Sequence, residues 1–313
     1  MKLSTEKIIA LLLSGKVVAI PTETVFGLAA SIYDESAIKS IFNLKNRPLS
    51  NPLIVHISAV DQIRDFVEET ALTEAQTLIN AFWPGPLTLV LPLKPSNTLS
   101  PLITANLNSV AVRMPKHEKT LQVIDKTGPL VAPSANKSGY PSSTDVQHVE
   151  HDFGSDFPVL DAAIDCQGIE STILAKENNF WKIAREGAIV PSNLSKILGY
   201  TPEIHSKKST PICPGQHFKH YSPHAKVITK PYAELQDLSA VILGYQERSY
   251  PKAKKVITLG SLEAPLSIQQ NLYAALRSLD AEGIEEAYID VDFPLEERLE
   301  IIKRRIEKAS SKC

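Results

Sequence analysis

The residues Val17-Val-Ala-Ile20 form a short apolar run, and Pro21-Thr-Glu-Thr24 follows it directly. A brief apolar run that ends at a proline is typical of a buried strand. Similar runs recur along the chain and alternate with helical patterns, such as the one that Asp34 can cap. This alternation predicts an α/β fold with a twisted sheet and flanking helices.

Further apolar runs predict the other strands of the first part of the chain. Ser4 can cap a helix that ends at Leu13, and Asp34 can cap a second helix that ends near Leu44. The last strands follow one another without intervening helices, so the sheet is predicted to be mixed. The predicted strands are 17–20, 52–57, 87–91, 110–114, 129–132, 159–161, 172–175 and 181–184.

A change in composition near residue 200 divides the chain. Residues 200–226 are rich in Pro, Ser, Lys and His, have little apolar periodicity, and are predicted to form a linker that acts as an active-site lid. A second βα pattern follows, with strands at 226–229, 240–243, 256–259 and 286–292 and helices at 265–280 and from about 295. The predicted organisation is a catalytic domain at 1–199, the linker at 200–226, and a small Rossmann-like α/β domain at 227–313.

Composition narrows the functional class. The 313 residues carry a formal net charge of −2, whereas a protein that holds a duplex through its phosphates is usually basic. Three separated cysteines indicate neither a disulfide framework nor a thiolate metal site, which favours a reduced cytoplasmic setting. No stretch reaches the about 20 apolar residues of a membrane span, so no membrane partner is expected.

Three pairs of polar residues are spaced i, i+2. In extended backbone this spacing places both side chains on one side, and prolines at 21, 48 and 133 disfavour helix at these places. Two of the pairs follow the C-terminal end of a predicted strand, where open α/β sheets bind ligands. Surface turns are the alternative interpretation for any single pair. The pairs are Thr22 with Thr24, Lys45 with Arg47, and Ser134 with Asn136.

Two arginines and a histidine also lie at predicted strand ends. Arg113 and Arg185 could join Lys45 and Arg47 in holding a triphosphate through charge-assisted contacts. The chain contains no GxxxxGK[ST] loop and no GxGxxG after a strand, so side-chain cations would have to bind any phosphate. A lone histidine such as His56 is more often structural than catalytic.

Taken in order along the chain, these segments resemble the YrdC-like family in its long, two-domain form, the threonylcarbamoyl-AMP synthases. The resemblance covers nearly the whole chain, and its specificity lies in the ordered set rather than in any one motif. The matching stretches are Pro21-Thr-Glu-Thr-Val-Phe-Gly-Leu28, Lys45-Asn-Arg-Pro48, Asn51-Pro-Leu53, Trp83-Pro-Gly-Pro-Leu-Thr88, Val112-Arg-Met-Pro115, Pro133-Ser-Ala-Asn136, Glu170-Ser-Thr172, Arg185-Glu-Gly187, Pro214-Gly215 and His220-Tyr-Ser-Pro223.

The resemblance implies a YrdC-like catalytic domain and a set of site residues. Lys45 and Arg47 are the implied catalytic residues. The implied ATP-binding residues are Lys45, Arg47, Ser134, Asn136, Arg185 and Tyr221, and the implied threonine-binding residues are Thr22, Thr24, His56, Arg113 and Ser171. Mg²⁺ is expected to accompany ATP, and its protein ligands are not assigned.

The resemblance also implies the reaction and the partners. Threonine and bicarbonate would give a carbamate, which attacks the α-phosphate of ATP and releases pyrophosphate. The lid, with Pro214 to Pro223 at its centre, would keep water from this hydrolysable product. A separate transferase would carry the threonylcarbamoyl group to the adenosine beside the anticodon of tRNA, so contact with tRNA itself is expected to be indirect.

Two other classes of function remain open at this point. One is an RNA-binding module without catalysis, because the YrdC-like fold is also associated with RNA binding. The near-neutral composition speaks against it, and the paired polar residues would then lack a purpose. The other is a carbamoyl-transferring maturation protein, but such chains are larger and carry additional modules.

Overall fold

The computed structural model describes residues 1–163, 165–205, 213–214 and 220–310, in two compact units. The first unit comprises Met1–Ser138, Asp145–Cys166 and Glu170–His217. The second comprises Gly139–Thr144, Gln167–Ile169 and Phe218–Cys313. Two short segments from within the predicted catalytic domain therefore pack with the C-terminal part. Much of the predicted linker, at 206–212 and 215–219, lies outside the described residues.

The first unit is built on a mixed sheet, as predicted. Its ten described strands have the order β1-β8-β2-β3-β7-β4-β6-β5-β9-β10. They are β1 Lys2–Leu3, β2 Val18–Ile20, β3 Gly27–Ser31, β4 Ile54–His56, β5 Leu87–Pro92, β6 Ser109–Arg113, β7 Leu130–Val131, β8 Val159–Leu160, β9 Thr172–Glu177 and β10 Phe180–Arg185. The helices are α1 Thr5–Leu13, α2 Glu35–Lys45, α3 Glu69–Phe82, α4 Pro101–Thr104, α5 Glu118–Thr127, α6 Val146–Phe153 and α7 Pro191–Leu198.

Both predicted helix caps are present. The backbone N–H of Lys7 donates to Ser4 Oγ at 3.5 Å, and that of Ala37 donates to Asp34 Oδ1 at 2.9 Å. Helix α2 buries Ile38 and Ile41 in the main core of the first unit, which orients its C-terminal end and thereby Lys45. The helix whose start was predicted at Asp34 therefore positions Lys45, the first candidate cation.

Strand β3 is absent from the sequence prediction. Its residues, Gly-Leu-Ala-Ala-Ser, lack the β-branched and aromatic side chains that mark strands. The strand nevertheless pairs antiparallel with both β2 and β7, and its first four residues are buried. Tertiary pairing on both edges therefore stabilises a strand that its own composition does not favour.

The second unit contains the smaller sheet. Its four described strands are all parallel, in the order β11-β14-β12-β13. They are β11 Lys226–Lys230, β12 Val241–Tyr245, β13 Lys255–Gly260 and β14 Glu286–Asp290, with helices α8 Tyr232–Leu235, α9 Pro265–Ala281 and α10 Glu297–Ser310. This arrangement confirms the predicted small α/β unit. In the described part of the chain, no helix is long and apolar enough to span a membrane.

Candidate active site

A chain of hydrogen bonds joins Arg113 to the two threonines that follow β2. Arg113 Nη1 donates to Thr24 Oγ1 at 2.8 Å, and the hydroxyls of Thr24 and Thr22 are 2.8 Å apart. The Thr22 hydroxyl donates to the carbonyl of Val25 at 2.7 Å. Because a hydroxyl has a single proton, Thr24 must donate to Thr22, and the oxygen of Thr24 faces Arg113 as an acceptor.

Arg113 ends β6, and the register of the sheet places two polar residues beside it. His56 of β4 is paired with Arg113 on one side, and Thr88 of β5 on the other. Arg113 Nε also donates to the carbonyl of Gly85 at 3.2 Å. With 4% of its side chain exposed, Arg113 is a buried cation held in a defined orientation.

His56 is uncharged over the whole physiological pH range. Burial lowers the pKa of His56 to about 3, and the nearby positive charge of Arg113 contributes to this decrease. Its Nδ1 is 3.2 Å from the carbonyl oxygen of Ile54, which can only accept a hydrogen bond. Nδ1 therefore carries the proton, and Nε2 is left as an acceptor.

Lys45 is buried at the end of α2 and holds the loop after β7. Its Nζ donates to the carbonyl of Ser134 and, at 2.6 Å, to the carbonyl of Asn136. Ser134 is also bridged to Gly27, at the start of β3. Lys45 of the second pair is thereby brought together with Ser134 and Asn136 of the third pair.

Arg47 and Arg185 form a second, carboxylate-free concentration of positive charge. Arg47 donates to the carbonyls of Asn51 at 3.1 Å and Pro52 at 2.6 Å. Desolvation, together with the charge of Arg185, lowers the pKa of Arg47 to about 9, so it remains charged at neutral pH. Among the described residues, neither arginine has an acidic partner. Adjacent cations without counter-charges are suited to bind an anion.

Ser171 links this cationic region to the sheet. Arg185 Nη2 donates to the carbonyl oxygen of Ser171 at 2.9 Å and to its hydroxyl at 3.0 Å. The same hydroxyl is 2.7 Å from that of Thr88, which is fully buried. A Cβ atom at Gly187 would lie 2.3 Å from the carbonyl oxygen of Glu170, so only glycine permits this close approach.

The three pairs do not have the predicted extended geometry. Lys45 is the last residue of α2, and Asn46 after it has a left-handed φ of 52°. The N–H of Thr24 instead bends back to Thr22 Oγ1 at 3.2 Å, and the N–H of Asn136 bends back to the carbonyl of Ser134 at 3.0 Å. The side chains of the pairs are therefore brought together by local turns, which hydroxyl and amide residues favour. They are not aligned by the alternation of side chains along a strand.

Tyr221 belongs to the second unit. Its ring is 2% exposed and stacks on Tyr273 with centroids 5.2 Å apart, while the Arg305 guanidinium lies 5.0 Å from the ring centroid. Its predicted contact with ATP stays a prediction. The remaining lid residues, at 215–219, lie outside the described residues.

Three residues of the site were missed by sequence reasoning. Glu23 is buried, and its Oε2 is 2.7 Å from Arg113 Nη2. Asn51 Oδ1 is buried and has no hydrogen-bond partner among the described residues, and Thr88 contacts Ser171. The sequence carried little signal for Glu23, because Glu is almost never fully buried unless it is paired.

The described residues contain no group of three His, Cys, Asp or Glu side chains that could hold a metal ion. Mg²⁺ commonly binds through substrate phosphates and water with few protein ligands. Such binding is compatible with the cationic, carbonyl-rich surroundings of Lys45 and Arg47.

Comparisons with known proteins agree over most of the chain. A Sua5–YciO–YrdC family model, described as "Telomere recombination", matches residues 10–187, and one described as "Threonylcarbamoyl-AMP synthase, C-terminal domain" matches residues 189–311. Threonylcarbamoyl-AMP synthase from Bacillus subtilis is 36% identical over 88% of this chain and 84% of the relative. Its counterpart from Pyrococcus abyssi is 38% identical over 87% of this chain and 84% of the relative.

A solved structure supports the same assignment. Pyrococcus abyssi Sua5, crystallised in complex with L-threonine, superposes with a TM-score of 0.88 at 34% identity, covering 98% of this chain and 94% of that one. Both family models match in the order expected from the sequence motifs. The chain belongs to the Sua5–YciO–YrdC family, in the two-domain form of the threonylcarbamoyl-AMP synthases.

Proposed function

We propose that this chain is an L-threonylcarbamoyladenylate synthase, a nucleotidyltransferase that forms threonylcarbamoyl-AMP and pyrophosphate from L-threonine, bicarbonate and ATP. The observation that carries the proposal is a series of neighbouring polar side chains. It runs from Arg113, the candidate carboxylate-binding residue, to Arg185, a candidate phosphate-binding residue. Arg113 is in register with Thr88, Thr88 contacts Ser171, and Ser171 binds Arg185. An amino-acid carboxylate and a nucleotide phosphate could therefore be held side by side.

The first end of this series suits threonine. Arg113 can bind the α-carboxylate, since Nη2 has no aligned hydrogen-bond acceptor among the described residues. The neutral His56, with Nε2 as an acceptor, can receive a hydrogen bond from the threonine hydroxyl. Thr22, Thr24 and Ser171 complete the proposed pocket. A site that must satisfy its buried polar groups discriminates strongly against an analogue that lacks the matching group.

The second end suits the phosphates of ATP. Arg47 and Arg185 supply charge without competing carboxylates, and Lys45 is anchored beside the loop of Ser134 and Asn136. Negative charge grows on the phosphoryl oxygens as the carbamate attacks. Fixed cations can stabilise that charge without reorganising at the moment of reaction.

The proposed reaction needs no enzyme nucleophile. The threonine amine takes up carbon dioxide derived from bicarbonate, and a carbamate oxygen then attacks the α-phosphate of ATP. The bond to pyrophosphate breaks as the bond to the carbamate forms. Positioning and electrostatic stabilisation are sufficient for this type of transfer.

We further propose that Mg²⁺ accompanies the phosphates of ATP. When bound, it would neutralise charge on the leaving pyrophosphate. The described residues lack a carboxylate cluster, so the contribution of this chain is the cationic and carbonyl surroundings rather than a resident metal site.

Residues 200–226 are proposed to shield the reactive product, with Tyr221 contributing to the nucleotide site. A mixed carbamic–phosphoric anhydride hydrolyses readily, so a cover that excludes water has a chemical purpose. The proposed consumer of the product is a separate transferase acting on tRNA, which places the chain in tRNA modification.

The test is pyrophosphate release from ATP, measured with bicarbonate and each of the twenty amino acids in turn. Release that requires both bicarbonate and L-threonine is the expected result. Release without threonine dependence would contradict the substrate assignment. No release with any amino acid would remove the enzymatic proposal and favour the RNA-binding alternative, which an RNA titration would then examine.

A further inference from the structure

Glu23 is a buried carboxylate for which neither the motifs nor the proposed mechanism provides a role. It lies between Thr22 and Thr24, and 8% of its side chain is exposed. Burying a carboxylate is unfavourable unless it is paired and hydrogen-bonded. Its burial therefore requires a compensating interaction.

The described residues only partly compensate the buried charge of Glu23. Arg113 Nη2 is 2.7 Å from Glu23 Oε2, which is an ion-pair distance, but its N–H groups are not aligned for a hydrogen bond. Neither carboxylate oxygen of Glu23 has a hydrogen-bond donor among the described residues. More than about 90% of buried polar groups in native proteins have such a partner, so a carboxylate whose contact is one unaligned ion pair can still accept hydrogen bonds.

The neighbouring groups indicate what kind of donor is missing. An α-amino acid carries its carboxylate and its ammonium on the same carbon atom. Arg113 and Glu23 present the complementary pair of charges within one contact distance. The hydroxyl of Thr24 is already directed towards Thr22, and His56 offers an uncharged acceptor, so Glu23 supplies the negative charge that an ammonium group requires.

We propose that Glu23 binds the α-ammonium of L-threonine and accepts the proton that this nitrogen loses before it attacks carbon dioxide. The inference rests on the proposed function and deepens it, because the threonine amine is the nucleophile of the first step. An ammonium has no lone pair, so a nearby base is needed to make the amine reactive.

The proposed step balances in atoms and charge. Threonine ammonium and bicarbonate give the carbamate, one water and one proton. The nitrogen lone pair forms the new N–C bond, and the nitrogen gives up two protons. One of them is consumed when bicarbonate loses water to become carbon dioxide, and the other leaves for solvent. Glu23 is the first acceptor of the proton from the ammonium, and it returns to the carboxylate form when it passes that proton on.

The binding test compares L-threonine with (R)-3-hydroxybutyrate, which has the same carboxylate and hydroxyl but no amine. Titration calorimetry on the full chain gives the affinity ratio of the two ligands. We expect the wild type to prefer L-threonine by about 10- to 100-fold, as for a charge-assisted hydrogen bond. In Glu23→Gln this ratio should fall towards one, because the amide keeps the shape but loses the charge.

The kinetic test separates proton acceptance from binding alone. Glu23→Gln should lower kcat for threonine-dependent pyrophosphate release by about 10²- to 10⁴-fold, the usual range for loss of a general base. Glu23→Asp keeps the base on a shorter side chain and should recover part of that loss. If Glu23→Gln does not fold, Glu23→Asp must show intermediate values of both kcat and the ligand ratio.

A matched control removes another buried carboxylate that pairs with an arginine. Asp290 lies in the second unit and is 2.7 Å from Arg248. Asp290→Asn should keep the wild-type preference for L-threonine over the amine-free analogue. An unchanged ratio in folded Glu23→Gln, or an equal loss in Asp290→Asn, would overturn the proposal for Glu23.

The two proposals can fail separately. A wild-type chain without bicarbonate- and threonine-dependent pyrophosphate release would contradict the proposed function. An active wild type whose Glu23→Gln variant retains both kcat and the amine preference would contradict only the role of Glu23.

Discussion

Two buried carboxylates, one in each unit, pair with an arginine at the same closest distance but differ in their other contacts. Glu23 and Arg113 in the first unit, and Asp290 and Arg248 in the second, are both 2.7 Å apart. Asp290 also accepts hydrogen bonds from the Tyr250 hydroxyl at 2.8 Å and from the backbone N–H of Asp292 at 3.0 Å. Glu23 has no aligned donor among the described residues.

From this difference we infer that the pair of Asp290 and Arg248 is structural, and we propose that the pair of Glu23 and Arg113 binds a ligand. Burial raises the pKa of Tyr250 well above its ordinary value, and the charge of Asp290 contributes, so the phenol remains a donor. Arg248 also lies over the ring of Tyr232, 4.7 Å from its centroid. Asp290 is thus satisfied by several described donors, whereas Glu23 keeps acceptor capacity that we propose a zwitterionic substrate uses.

The largest effect is expected when the satisfied pair is broken. Asp290→Ala should lower the free energy of unfolding by about 3–5 kcal/mol, because Arg248 loses its counter-charge and two donors lose their acceptor. Urea denaturation at pH 7 measures the change. Glu23→Ala should cost less, since its carboxylate makes one ion pair and no aligned hydrogen bond. An equal or greater loss at Glu23 would contradict the distinction between the two pairs.

The next effect concerns the cation that holds the nucleotide loop. Lys45→Ala should reduce pyrophosphate release by about 10²- to 10³-fold, since the variant removes the fixed charge that we propose lies beside the reacting phosphate. Lys226→Ala is the matched control, because its 2.6 Å contact with Glu286 is exposed and such pairs contribute little. Similar turnover in the two variants would show that Lys45 has no electrostatic role.

A third prediction uses the histidine beside Arg113. His56 has a pKa of about 3 in the folded chain against 6.5 for an ordinary histidine. Below pH 6.5 the unfolded chain binds more protons, so stability from His56 is complete above that pH and declines as the pH falls towards 3. Between pH 7 and pH 5 the wild type should lose about 2 kcal/mol more than His56→Gln in urea denaturation. Parallel losses in the two proteins would show that His56 is not buried in the neutral form.

The smallest effect compares two single hydrogen bonds. Thr88→Val removes the 2.7 Å contact with Ser171, and Tyr250→Phe removes the 2.8 Å bond to Asp290. Thr88→Val should cost about 1 kcal/mol of stability, and Tyr250→Phe about 1.5–3 kcal/mol because its acceptor is charged. Only the Thr88 variant should raise KM for threonine, by a few-fold. A KM change in Tyr250→Phe but not in Thr88→Val would contradict the assignment of the threonine site to the first unit.

Sequence patterns predicted much of the fold because most elements carry a local signal. Apolar runs predict β2, β4 to β10 and the strands of the second unit, and the capping residues Ser4 and Asp34 correctly predict where α1 and α2 begin. Strand β3 was missed because Gly-Leu-Ala-Ala-Ser carries no strand signal of its own. It forms because β2 and β7 provide partners on both sides, which no local window of sequence contains.

The sequence by itself determined the α/β class and the family, and it supplied candidate site residues whose roles stay predictions. These properties depend on residue type and spacing along the chain. Only the tertiary structure decided that Lys45 binds the carbonyls of the Ser134 loop, that Arg113 meets Glu23, and that the pair around Asp290 is satisfied. Burial and charge pairing join residues far apart in sequence, and they depend on three-dimensional distance, which a linear pattern does not carry.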